Sequence, residues 1–229
     1  TSISDDVFGN DKDTVFPLQV ALGYQMAQTL FLAPHCLLVN SASDLIYLQV
    51  LGEAAVANGG TRLDPRWVVI PVGGADNLPT FVSLLGENYV SVAVLMDVTP
   101  TNKEKVEVAN RGGAVRALNA IKWIEVTKIR DADIEDLFDS NFYLKLVNDS
   151  YALELPHDLT LKMITGSNPR IAARLKEYFQ QENIANGQFD PYRPAAYLLQ
   201  NHAELEDQID APTIDRAVSL FERLNSLLP

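Results

Sequence analysis

The chain of 229 residues contains one cysteine, Cys36, so it can form no internal disulfide and no cysteine-based metal centre. Cys36 lies within an apolar run and reads as a small buried hydrophobe. Its three histidines, His35, His157 and His202, fall at no spacing that would pair them on zinc or set up a histidine base. They read as surface or loop residues, and no Ser-His-Asp arrangement can be argued. No apolar stretch reaches membrane-spanning length and no signal peptide stands at the front, so no membrane partner is expected and a cytoplasmic protein is. Positive charge is scarce: 18 Lys and Arg stand against 30 Asp and Glu, a formal charge of −12. That excludes a chain whose whole surface attracts nucleic acid. It does not exclude a nuclease, because cations at an acidic site supply the local positive charge that side chains lack.

The composition that remains, 47% apolar and 21% charged, is that of a globular protein with a real core, long enough for one large domain or two small ones. The first 15 residues form a polar lead-in crowded with Asp5, Asp6, Asp11 and Asp13. A start at Thr1, without methionine, is expected of a piece of a longer protein.

The organising stretch is Cys36-Leu37-Leu38-Val39-Asn40-Ser41-Ala42-Ser43-Asp44-Leu45-Ile46-Tyr47-Leu48. A short continuous apolar run suits a strand buried on both faces, and Ser43 and Asp44 ahead of an amphipathic run mark a helix start. This strand, turn and helix place Asn40 to Asp44 at the carboxyl edge of a parallel sheet, where open α/β folds bind ligands. A second strand over 90–96 ends in Asp97 at the same edge. Two acids there, Asp44 and Asp97, suit a hard divalent cation; equally, Asp44 caps its helix and Asp97 opens a loop.

The spacing also predicts helices over 16–32, 44–57, 78–85 and 103–118 and strands over 67–72 and 120–126. Lys103, Lys105, Arg111 and Arg116 on the exposed, charge-rich helix over 103–118 read first as a solvated face. Gly73 and Gly74 follow a strand and precede a helix, but the stretch lacks the Walker lysine and the third glycine of the dinucleotide fingerprint. A tight backbone turn near the site is the plainer reading. After residue 130 the acids Asp131, Asp133, Glu135 and Asp136 come together, and helices alone follow, over 142–151, 169–181, 191–202 and 212–228. The expected architecture is α/β: a parallel-sheet domain with helices on both faces over 1–137, then a small all-helical domain over 138–229.

The segments Pro17-Leu18-Gln19-Val20-Ala21-Leu22-Gly23-Tyr24, Ala27-Gln28-Thr29-Leu30-Phe31, Leu37-Leu38-Val39, Ser43-Asp44-Leu45-Ile46-Tyr47-Leu48, Leu63-Asp64-Pro65-Arg66-Trp67, Pro71-Val72-Gly73-Gly74-Ala75-Asp76, Val94-Leu95-Met96-Asp97 and Ile134-Glu135-Asp136-Leu137-Phe138 resemble, in order, the carboxy-terminal half of overcoming-lysogenisation-defect (OLD) family nucleases. The resemblance implies a TOPRIM domain and a helical domain that cleave DNA with Mg²⁺ or Mn²⁺, as an endonuclease or nickase. It implies an ABC-type ATPase region, absent from this chain, as a partner in the full-length protein, and it leaves a homodimer open. Asp44 and Asp97 become the principal metal ligands, with Glu135 or Asp136 as a further one. Arg170 or Arg174 becomes the cation that meets the transition state.

The departures from the family pattern are specific. Asn40 and Ser41 stand where the family has Glu-Gly, and an amide can coordinate through oxygen but cannot take a proton at neutral pH. Thr99 stands where many TOPRIM domains carry a second aspartate. A lysine of the family would fall at Ala173. These departures imply a weakened or altered site. Two other classes follow from the same residues: a catalytically silent TOPRIM module that binds DNA or a partner, and an unrelated doubly wound nucleotide-binding domain using Gly73 and Gly74.

Overall fold

The computed structural model describes residues 35–86, 91–95, 118–121, 127 and 132–229. The expected helix over 16–32, most of the one over 103–118, and Asp97 and Thr99 lie outside the described residues.

Four parallel strands form one sheet in the order β2-β1-β3-β4, with β1 at His35–Val39, β2 at Trp67–Pro71, β3 at Ser91–Leu95 and β4 at Leu118–Ile121. β1 is central, paired with β2 on one side and β3 on the other. That position explains its composition: Cys36, Leu37, Leu38 and Val39 are all 0% exposed. Successive side chains of a strand point to opposite faces. Leu37, Val39, Ala93 and Leu95 enter one core, and Cys36, Leu38, Ile70, Val92 and Val94 enter another on the opposite face.

Helices cover both faces, as the sequence predicts. The second core is closed by α2 (Leu78–Gly86) through Leu78, Val82 and Leu85. The first is closed by α1 (Ala42–Ala57) and by the helices that follow residue 138: α3 (Ser140–Ser150), α4 (Ile171–Gln181), α5 (Tyr192–Gln200), the short α6 (His202–Leu205) and α7 (Ala211–Asn225). This core runs without a break from Leu37 to Leu224, so residue 138 marks a change of pattern along the chain within one shared interior. β4 begins at Leu118, two residues before the predicted strand and at the predicted end of the preceding helix. Among the described residues no helix is long and apolar enough to cross a membrane.

The strand order places the site. The chain leaves β1 toward β2 on one side and returns to β3 on the other, so the crevice outside the carboxyl ends of β1 and β3 is the topological switch point. Val39 and Leu95 pair there.

Candidate functional site: an acid and base cleft at the end of the central strand

The turn after β1 is closed by its own carboxylate. Asn40 N–H and Ser41 N–H donate to Asp44 Oδ2 at 2.8 and 3.2 Å, and the Ser41 hydroxyl donates to Asp44 Oδ1 at 2.9 Å. Asp44 is therefore the third residue of α1, which starts two residues before the predicted boundary, with Ser41 as its cap. An acid here is favoured by the unpaired N–H groups and the dipole of the helix start. Gly74 N–H donates to Asn40 O at 3.0 Å and ties this turn to the one after β2. Gly73 and Gly74 have φ of 72° and 117°, a backbone that side chains resist, so the paired glycines are the tight turn predicted and stand beside the cleft.

A second turn, the 3₁₀ segment Ile134–Leu137, faces the first. Ile134 and Leu137 are anchored in the core, which brings the acids between and before them to the sheet edge. Asp136 Oδ2 accepts from Asp133 N–H at 3.1 Å and Oδ1 accepts from Ile171 N–H, the start of α4, at 3.2 Å. Asp136 thus holds the turn to the helical segment and is turned away from the cleft.

Asp133 and Glu135 are placed differently. Glu135 is 5% exposed. Burial, then the charge of Asp44, push its carboxyl from 4.5 up to about 7, against the opposing hydrogen bond from Asp133. Burial, then Glu135 and Asp136, push Asp133 well above the usual carboxylate range. The guanidinium of Arg170, 4.0 Å away, offsets this only in part. Two carboxyls in this setting favour sharing one proton. Asp133 Oδ1 is buried without a hydrogen-bond partner.

Asn40, Ser41, Asp44, Asp133, Glu135, Arg170 and Lys176 line one cleft of about 120 Å³, walled by Ile134, Ala172 and Pro191. The structure therefore gathers Asn40, Asp44, Glu135 and Arg170 from the residues singled out by sequence. It does not bring Arg174 there: the stem of Arg174 packs on Gly166, and its Nε is buried without a partner. Lys176 is not singled out by the sequence, which gives Asp133 only as one of the acids after residue 130. Lys176 stands one helical turn beyond Ala172 on the same face of α4, so the spacing from Arg170 and Ala172 was the available signal. Arg170 caps α4, whose first N–H, that of Ile171, is already taken by Asp136.

The donor set suits a hard cation in kind, being oxygen throughout and including the orphaned Asp133 Oδ1. In number it is incomplete: among the described residues no group of three or more His, Cys, Asp or Glu side chains is arranged to hold a metal ion. No protein-family model, curated protein or solved structure matches the chain.

Proposed function

We propose that the cleft is a phosphodiester-cleaving site, and that the chain is the metal-dependent DNA endonuclease or nickase part of an OLD-type protein, paired with an ATPase region in the full-length molecule. The observation that carries this reading is the meeting of Asp44, Asp133 and Glu135 with Arg170, Lys176 and the start of α4 in one cleft at the switch point of a parallel sheet. Anionic oxygens for a cation and cationic groups for a phosphate are the two halves that phosphodiester cleavage requires.

Within this proposal Asp44, Glu135 and Asp97 hold Mg²⁺ or Mn²⁺. Asp97 follows Leu95 by two residues, a reach of at most about 7 Å, and Leu95 pairs with Val39 beside the cleft. The bound cation would make the attacking water more acidic and offset charge on the leaving oxygen. The chain's own groups do the rest. Lys176 holds the phosphate, Arg170 balances Asp133, and Asn40 offers a neutral oxygen where the family has a base.

Supercoiled plasmid with Mg²⁺, Mn²⁺ or EDTA is the direct test. Metal-dependent nicking is expected, abolished by Asp97→Ala and lowered on the order of a hundredfold by Lys176→Ala, with Arg174→Ala close to the parent. Asn40→Glu is expected to raise the rate. Cleavage that survives Asp97→Ala would refute the ligand assignment. A second reading, a catalytically silent module that binds DNA or a partner, is favoured by Asn40 and by the incomplete ligand set. Mn²⁺ binding with the plasmid intact would select it.

A further inference from the structure

A larger cleft, of about 360 Å³, lies between α1 and the segment that leads from α1 into β2. Leu45, Leu48, Gln49, Gly52 and Glu53 form one wall, at the spacing that keeps residues on one face of a helix. Leu63, and Val69 of β2, form the other, beside the exposed Arg62. This second wall is fixed to α7: the Asn225 amide donates to Arg62 O at 2.9 Å, and Asp64 N–H donates to Asn225 Oδ1 at 2.8 Å. A preformed, mainly apolar hollow of this size matches small-molecule sites, which span about 300 to 1,000 Å³.

Two features of the cleft are not accounted for by folding. The first is Gly52, in the middle of α1, where glycine destabilises a helix relative to alanine. A Cβ there would meet only Arg62 Cβ at 3.6 Å and Phe221 Cζ at 3.9 Å, which are ordinary contacts, so packing within the chain admits alanine. Bare backbone on the lining of a cleft suits the close approach of a ligand. The second feature is charge. Asp64 pairs with Arg66 at 3.0 Å, and Glu53 accepts from the Gln49 amide at 3.5 Å and lies 3.7 Å from His202. The Arg62 guanidinium alone of these has no ion pair or hydrogen bond among the described residues. An apolar hollow beside one unmatched cation complements an apolar body that carries one negative charge.

We propose that this cleft binds a small amphiphilic carboxylate, with its aliphatic body over Gly52 between Leu48, Leu63 and Val69 and its carboxylate on the Arg62 guanidinium. The proposal stands apart from the phosphodiester reading and uses none of its residues. Arginine meets a carboxylate with two parallel N–H bonds, which fixes the polar end. The body removes apolar surface from water on both sides, including that of Leu45, which is 38% exposed.

Octanoate and octan-1-ol are titrated calorimetrically into the full chain, Arg62→Gln and Gly52→Ala, with urea midpoints as the check on folding. Saturable binding of one octanoate per chain is expected, on the order of tenfold tighter than octan-1-ol, and Arg62→Gln should close that gap. Gly52→Ala should raise the urea midpoint, because alanine favours the helix, and weaken both ligands because its methyl takes their space. Absence of saturable octanoate binding overturns the proposal, as does octan-1-ol bound as tightly as octanoate. Octanoate affinity unchanged in Arg62→Gln overturns the role of Arg62, and affinity unchanged in Gly52→Ala overturns the placement over Gly52. The two ligands compared on the parent chain decide the matter even where a variant fails to fold.

Discussion

In the turn after β1, both oxygens of Asp44 receive donors within five residues of chain, from Asn40, Ser41 and the Ser41 hydroxyl. In the facing turn both oxygens of Asp136 are provided for, by Asp133 N–H and Ile171 N–H. Asp133 and Glu135 have each other, Arg170 at 4.0 Å and an interior that disfavours their charge. Acids close in sequence and alike in chemistry thus divide into two kinds. Asp44 and Asp136, each with two backbone donors, stabilise the turns that carry them, and Asp133 and Glu135 are held where burial opposes their charge.

The sharpest way to break this division is Asp136→Ala. Removing a buried carboxylate that accepts two backbone N–H groups should lower stability by about 4 kcal/mol, read from urea unfolding. A loss no greater than that of an ordinary surface substitution would show that Asp136 does not tie the turn to α4.

Glu135 should behave in the opposite sense. Its folded value of about 7 lies above 4.5, so between those pH values the folded chain keeps a proton that the unfolded chain releases. The stability this group contributes is present below pH 4.5 and lost as pH rises through 7, on the order of 3 kcal/mol. Glu135→Gln should remove that slope and be more stable than the parent at pH 8. Millimolar Mn²⁺ at pH 8 should raise the midpoint of the parent and leave that of Glu135→Gln unchanged. Identical pH slopes in the two chains would mean that the pair holds no such proton.

The smallest effect is expected at Asp44. Asp44→Asn keeps an oxygen for the turn, so stability should fall by only about 1 kcal/mol while Mn²⁺ binding is lost. A large loss of stability with metal binding intact would place Asp44 wholly among the structural acids.

The sheet and its helices were legible because β1 and β3 are continuous apolar runs and α3, α4, α5 and α7 carry one apolar face each. The Gly73 and Gly74 turn was legible because paired glycines between a strand and a helix suit the positive φ found there. The cleft was half legible. Asn40 and Asp44 lie four residues apart in a turn that announces itself, whereas Asp136 meets Ile171 across 35 residues and Lys176 reaches the same wall only through the docking of α4. Local pattern cannot report such meetings, since they depend on how the shared core seats one element on another. The same distance hid the difference between Glu135 and Asp136: both read as acids of a helix start, and only the packed chain assigns one to backbone donors and the other to the interior.

Tyr47 from α1 and Phe138 from beyond the acid turn meet at 5.1 Å, and the same interior continues through Leu175, Leu198 and Leu220. A protease cut between residues 138 and 139 would therefore leave two fragments that remain associated and migrate together until denatured. Expressed separately, each fragment would present a broad apolar face to solvent and aggregate. The junction is a seam in the sequence and not a place where the molecule comes apart.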